Sequence, residues 1–468
     1  MANISKLFKS AGIYFLGNVM TRLISFFLLP LYTKYIAADD LGFFDVSTSY
    51  LNVLIPVICL EIWSGIMRFI FDFDNFEDKY KVIFNGMVIF SISVAIYSLL
   101  FFILGIVTNI QSIMLIFIYG FFLMLQNLYT YLARGLNFNQ AFAVSGIINS
   151  LVNSISNIIM ILVFGMKLNS LYISMILGLF VQVVILESKV KIVHNISLNL
   201  FDKNLVYSMV RFSLPLCLNS ACFWFLSSYN KIGISNTLGL EANGIYTVAG
   251  KFTMMIAIVA NCFSLAWQEM VYSLGNEKNN KGKLYSSASN YCITSLLLGT
   301  LLVIPIIHII FPFFVDEAYS IAYPLIPLYM FATAISTFSS FLGNIFGAEK
   351  KTEVIFYSTI IAAIVNVSLF HFLVNYIGIE AANVGLTVGY SINIIIRLSI
   401  LKKDFLIKID YSKIIFVLLL NIPVIYIYLT QSTIINMLAF IVVSLVSIVM
   451  YRRIIVKILI SIKCKLTH

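Results

Sequence analysis

Residues 82–106 read VIFNGMVIFSISVAIYSLLFFILGI, a run without one charged side chain, entered through Lys79 and Lys81. As a helix rising 1.5 Å per residue it is about 37 Å long, more than the roughly 30 Å hydrocarbon core of a bilayer. In water every face of such a helix would need a protein partner. In lipid it satisfies its own backbone and needs none. The stretch therefore reads as a membrane span, and it sets the fold class.

The same texture recurs outward in both directions. Apolar runs cover 11–33, 42–66, 82–106, 112–133, 140–164, 169–188, 206–230, 242–270, 286–311, 320–346, 355–376, 381–401, 412–430 and 433–451. The chain is 61% hydrophobic and only 11% charged, with mean hydropathy +0.99. Soluble domains carry about a quarter charged residues. The expectation is an all-α polytopic membrane protein of about fourteen transmembrane helices. Lys6 and Lys9 precede the first run, which reaches Tyr32 without an A-x-A cleavage site, so it reads as a retained helix. Loops are short and leave no room for an inserted catalytic or nucleotide-binding domain.

Net charge is +10. With a cytoplasmic N-terminus, 25 of the 30 lysines and arginines fall on the inner side, Arg397 among them. Lys34, Lys167 and Lys231 fall outside, while Arg22 and Lys251 fall within spans. This segregation follows the positive-inside rule and predicts both termini in the cytoplasm. The basic surplus is thus a topology signal and a contact for anionic membrane lipids, and no nucleic-acid partner is indicated. Six cysteines show no CxxC spacing and read as free thiols.

Two short patterns repeat. Gly42-Phe43-Phe44 opens the second run, and Gly244-Ile245-Tyr246 holds the matching place in the eighth. Asn153 stands twelve residues before Gly165, and Asn366 twelve before Gly378. Together they predict two pseudo-symmetric six-helix bundles around a central cavity, 1–195 and 200–403, followed by a terminal helix pair and basic tail, 404–468. Repeated halves with a substrate path between them are a transporter plan.

No Walker A, H-E-x-x-H or G-x-S-x-G sequence occurs, and the four histidines are scattered. The chain is expected to be a transporter and not an enzyme, with no cofactor and no metal, driven by an ion gradient. A charge at a helix centre costs at least about 2.5–3.5 kcal/mol. Arg22 and Lys251 are therefore candidates for a cationic cavity that receives a phosphate; a structural ion pair or snorkelling is the alternative. Asp45, Glu61 and Glu269 are candidates for binding a coupling H+ or Na+. The alternative is interfacial pairing, Glu61 with Arg68 for example. Asn18, Asn153, Asn219 and Asn366 are polar residues inside spans that could line a wet path or bond helices together. Trp63, Trp224 and Trp267 lie near span ends, as interfacial anchors do.

The opening from Gly17-Asn18-Val19 through Arg22 to Leu31, then Tyr32-Thr33-Lys34-Tyr35-Ile36 and Asp39-Asp40-Leu41-Gly42-Phe43-Phe44, resembles polysaccharide-type flippases. These belong to the multidrug/oligosaccharidyl-lipid/polysaccharide exporter superfamily. Leu240 to Tyr246 is similar to the same turn in the second half, and Gly378-Ile379-Glu380-Ala381-Ala382 to the family's entry into helix twelve. The resemblance runs along nearly the whole chain.

It implies two bundles that open alternately to each face of the bacterial inner membrane. It also implies a cargo of polyprenyl-pyrophosphate-linked oligosaccharide, for O-antigen (lipopolysaccharide), capsule or exopolysaccharide. Polysaccharide polymerase and chain-length machinery are the implied partners, and Arg22 and Lys251 suit the cationic cavity. Rival readings are a multidrug/cation antiporter, which would more naturally bury acids, and a peptidoglycan-precursor flippase. A polysaccharide polymerase is the rival from another class, but it needs a long outer loop. Here the longest outer segment is about a dozen residues, such as 231–241.

Overall fold

The structure, a computed structural model, describes residues 26–73, 75–192, 201–273, 278–349 and 351–466. Among these residues the chain forms sixteen α-helices and one 3-10 turn, with no strand. Twelve helices are long and apolar enough to cross a membrane. Of the fourteen expected runs, 11–33 lies mostly outside the described residues, with its end in α1 (Leu29–Tyr35), and 242–270 lies within α10 (Leu240–Ser273). Helix ends are called outer and inner below after the charge segregation of the sequence.

Contacts divide the chain into two compact units, 1–247 and 248–468. The first holds α2 (Ala38–Ile58), α3 (Ile62–Ile70), α4 (Phe76–Val107), α5 (Ile113–Gly135), α6 (Asn139–Leu162) and α7 (Leu168–Val190). It also takes in α8 (Lys203–Ser227), α9 (Tyr229–Leu238) and the first two turns of α10. Helices α8 and α9 join this unit because α8 packs on α2, α3 and α4 and α9 packs on α2. Packing thus divides the chain later than the six-helix halves expected from the repeated motifs. The unit's core runs through Leu51, Ile55, Ile62, Ile66, Tyr97, Leu128 and Tyr172, all nearly or fully buried. Lys81 pairs with Asp202, whose carboxylate also caps α8 by accepting from the Asn204 and Leu205 amides. The Lys81 ammonium, donating to Asp202, is the largest cause holding that carboxyl below its usual range.

The second unit contains the rest of α10, then α11 (Lys278–Phe314), α12 (Ala322–Ala348), α13 (Thr352–Ile377) and α14 (Glu380–Phe405). The terminal pair, α15 (Tyr411–Thr430) and α16 (Thr433–Leu466), packs on α11. At its outer end this pair is fastened by Tyr323 and Tyr428, whose rings stack at 4.2 Å while each hydroxyl donates to the other's carbonyl. At the inner end the Asn290 side chain bonds the Lys408 carbonyl and the Asp410 amide, both at 2.8 Å.

Three sequence expectations change here. The run 42–66 is not one helix but two, α2 and α3. The outer segment 231–241 is largely helix α9, which buries Asn230, Ile232, Gly233 and Ile234. The three tryptophans are packing residues and not interfacial anchors, being at most 9% exposed. The Trp224 indole donates to the Ser49 carbonyl at 2.6 Å and that of Trp267 to the Phe341 carbonyl at 3.3 Å. Span ends are where tryptophan anchors sit, but an indole also suits a helix crossing that offers a carbonyl.

Candidate functional site

The first unit concentrates its chemistry on α2. At the outer end, Gly42 is the fifth residue of α2 and Gly244 the fifth of α10, the two positions that the repeated motifs align. They meet. A β-carbon on Gly42 would overlap the Leu240 carbonyl, and one on Gly244 would overlap the Ala38 carbonyl. The contact is reciprocal, with each helix's first residue against the other's fifth, and only a residue without a side chain lets two backbones approach so closely. Beside it, Lys231 of α9 pairs with Asp45 at 2.9 Å. The fully buried Asn243 donates to the Gly42 carbonyl at 3.0 Å and to the other Asp45 oxygen at 3.5 Å. Asp45 therefore belongs to a clasp among α2, α9 and α10, with Lys231 as its partner.

The inner end of α2 is built differently. The helix stops at Ile58, and Leu60 and Glu61 adopt left-handed backbone at φ 50° and 49° before α3 begins. Such a conformation costs an L-residue about 1–2 kcal/mol, and neither residue is glycine. Pro56, which donates no backbone hydrogen bond, lies in the last turn. The break is closed by hydrogen bonds from the Glu61 amide to the Pro56 carbonyl at 3.0 Å and from Ile62 to Cys59 at 2.9 Å. Ser93 of α4 donates to the Ile58 carbonyl at 2.9 Å. Glu61 accepts from Ser220 of α8 at 2.5 Å and from Ser64 at 3.4 Å. Its expected partner Arg68 bonds Asp72 instead, because an (i, i+4) pair shares one helix face whereas the break turns Glu61 off α3. Among the described residues no lysine or arginine pairs with Glu61.

The remaining sequence candidates are dispersed. Lys251 is half-buried on α10, in the second unit. Arg22, Asn18 and the side chains of Asn219 and Glu269 lie outside the described residues. Asn153 and Asn366 occupy corresponding hairpins, α6–α7 and α13–α14, whose turns hold Gly165 and Gly378. Each stands at a helix crossing, Asn153 against Gly178 and the fully buried Asn366 against Gly385 and Gly389. The Asn153 carboxamide oxygen is buried without a hydrogen-bond partner.

One cation that the sequence reading counted with the inner face is buried. Arg397, 4% exposed on α14, donates from Nε to the Ser358 hydroxyl at 3.0 Å and from Nη1 to the Ser339 carbonyl at 2.5 Å. Nη2 adds the Thr359 hydroxyl at 3.3 Å. The guanidinium fork ties α12, α13 and α14 together through neutral oxygens alone. A residue four positions from an expected span end reads as interfacial. The clue was the hydroxyl pair Ser358-Thr359 on the neighbouring helix.

Among the described residues no cluster of histidine, cysteine or acidic side chains has the make-up of a metal site. Cys59, Cys217, Cys222 and Cys292 are free thiols.

Comparison with known proteins adds family and fold. The sequence profile of a family described as polysaccharide biosynthesis protein matches residues 7–267. No curated protein matches the chain. Among solved structures, lipid II flippase MurJ in an inward closed conformation is similar over 94% of this chain and 99% of its own, with 17% identity and TM-score 0.72. An inward-facing multidrug resistance MATE family transporter of the MOP superfamily is similar over 82% of this chain and 99% of its own, with 16% identity and TM-score 0.64. An outward-facing structure from the same family gives 84% and 96%, with 16% identity and TM-score 0.56. At these identities the likeness is one of fold.

Proposed function

The chain belongs to the polysaccharide biosynthesis protein family, and from that premise we propose that it is a flippase for a lipid-linked oligosaccharide. The cargo is a repeat unit on polyprenyl pyrophosphate, carried from the cytoplasmic to the outer leaflet of a bacterial inner membrane by alternating access. The family match over more than half of the chain carries this reading, and a multi-pass fold shared with flippases and transporters is consistent with it. Arg22 and Lys251 are the proposed receptors of the pyrophosphate, since both fall within expected spans and a cation at membrane depth suits an anionic ligand. Coupling to H+ or Na+ falls to Glu61 before Asp45, because Asp45 is already held by Lys231.

Likeness to a lipid II flippase favours one second reading, a lipid-linked peptidoglycan precursor as cargo. Both are tested in a strain deleted for the gene, by extracting lipid-linked sugars and determining the leaflet that holds them. Complete repeat units trapped on the cytoplasmic leaflet are expected, with export restored by the wild-type gene and not by Arg22→Ala or Lys251→Ala. Trapped peptidoglycan precursor would replace the cargo. Single units stranded on the outer leaflet would point to a polymerase, and no accumulation to a drug or ion antiporter.

A further inference from the structure

The terminal helix pair leaves a groove of about 370 Å³ in the second unit, between α14 and α15 and floored by α11 and α12. Leu297, Ile335 and Phe338 form its buried floor, while Ile395, 62% exposed, stands at its rim. The walls are almost wholly aliphatic and aromatic. Along α14 the lining runs from Ser391 to Lys402, eleven residue steps or about 16 Å at 1.5 Å per residue. That length is close to half of a roughly 30 Å hydrocarbon core, the depth of one leaflet.

The two ends of the groove differ. Its deep end is apolar apart from the small Ser391, whereas its mouth is basic and aromatic. Lys402 lines the mouth, and Tyr411, 60% exposed, stands beside it. Lys403 and Lys408 are the neighbouring cations on the same turn and linker. The local acids are already engaged, Asp404 by Lys351 at 2.6 Å and Asp410 by Lys413 at 2.7 Å. Among the described residues, Lys402, Lys403 and Lys408 therefore have no acidic partner. The mouth does not gape by accident of a loose linker. Asn290 and the Ser286 hydroxyl bond the backbone of residues 408–410, holding the linker whose Ile407 and Ile409 line the apolar channel.

We propose that this groove is a binding site for an anionic phospholipid of the cytoplasmic leaflet. One acyl chain lies along α14 and the phosphate sits at Lys402, with Lys403 and Lys408 adding to the positive charge of that turn and linker. Lys402 at the mouth of a one-leaflet channel, with Lys403 and Lys408 near it in sequence and none of the three paired to an acid among the described residues, matches a headgroup that carries net negative charge. Cationic side chains near an anionic membrane surface add to its attraction, so the charge selects among headgroups while the channel holds the chain. A zwitterionic lipid gains the channel alone. Because α15 forms one side of the groove and packs on α16, the lipid would also fasten the terminal pair to the bundle. The proposal is independent of what the protein carries.

The test uses the full chain purified in detergent and native mass spectrometry with dioleoylphosphatidylglycerol, dioleoylphosphatidylcholine or undecaprenyl phosphate as probe. Phosphatidylglycerol is expected to be retained at least tenfold more strongly than phosphatidylcholine. The preference should vanish in K402E/K408E and persist in K189E, which alters an exposed lysine of the first unit. Leu398→Trp, or Ser399→Trp at the rim, keeps every charge but fills the channel, and should lower retention of both phospholipids. Equal retention of the two phospholipids by the wild type, or no effect of either tryptophan, overturns the site. Undecaprenyl phosphate displacing phosphatidylglycerol at equal concentration would assign the groove to a polyprenyl chain and overturn the phospholipid.

Discussion

At its outer end α2 is held in register by backbone contact, an ion pair and a buried amide; twenty residues later the same helix is broken, with two side chains in left-handed backbone. The outer end has Gly42 against α10, Asp45 on Lys231 and Asn243 bridging them. The inner end has Leu60 and Glu61 at positive φ and a carboxylate held by serine hydroxyls. The outer arrangement gains its stability from complementarity and has few alternatives of similar energy. The inner one stores strain beside an ionisable group, a combination found where a backbone has two states to choose between. In the alternating-access cycle proposed above, the first suits a closure that forms and parts as a unit, and the second a hinge.

The contrast is most exposed to substitution at the glycines. Gly244→Leu should cause the largest loss of stability, beyond the roughly 1–3 kcal/mol of ordinary overpacking, because the atom met is a backbone carbonyl that cannot rotate away. Gly105→Ala on α4, where nothing lies within 4 Å, should instead gain up to about 1 kcal/mol from the helix propensity of alanine. Thermal unfolding of the two variants in detergent reads both. Equal, small shifts would mean that the outer end is not tightly packed and would dissolve the comparison.

The outer end was half legible in the sequence and the inner end hardly at all. The matching Gly42 and Gly244 motifs named the two helices that meet, because a glycine recurring at one helix position marks close approach whatever surrounds it. Sequence could not say that they meet each other, nor that Lys231 reaches Asp45, since both facts depend on how α9 folds back. The break at Leu60-Glu61 carries no glycine, and Pro56 is an ordinary membrane proline, so hydropathy runs unbroken through it. Arg397 was misread for a related reason. Its distance from the span end was right, but burial there depends on oxygens supplied by α12 and α13. The spans themselves were the most legible feature, because the requirement for about twenty apolar residues acts on each helix by itself. Among the described residues, twelve of the fourteen expected runs hold a helix long and apolar enough to cross a membrane.

A matched pair of leucines sharpens the contrast next. Leu54, within α2, and Leu60, in the break, are both half-buried. Leu54→Gly should lose the side-chain packing and about 1 kcal/mol of helix propensity. Leu60→Gly loses similar packing but releases about 1–2 kcal/mol of left-handed strain. The two variants should therefore differ by about 2 kcal/mol, with Leu60→Gly the milder, as read by denaturant or thermal unfolding. Equal losses would show that the break is unstrained and that the two ends differ in shape alone.

The smallest effect concerns the ion pair of the clasp. Asp45 and Lys231 keep only 13% and 26% of their side chains exposed, so their attraction is screened less than at a surface yet still felt by water. A double-mutant cycle with Asp45→Asn and Lys231→Met should give a coupling of about 1 kcal/mol, at the upper end of values for exposed pairs. The swap D45K/K231D should recover part of what either reversal alone loses, since the pair's geometry is set by backbones that neither residue builds. It should not recover all of it, because Asn243 donates to an Asp45 oxygen and a lysine there offers no acceptor. A coupling near zero would leave the glycines and Asn243 as the whole of the outer closure. Asp45 would then be available for the ion-binding role that its lysine now argues against.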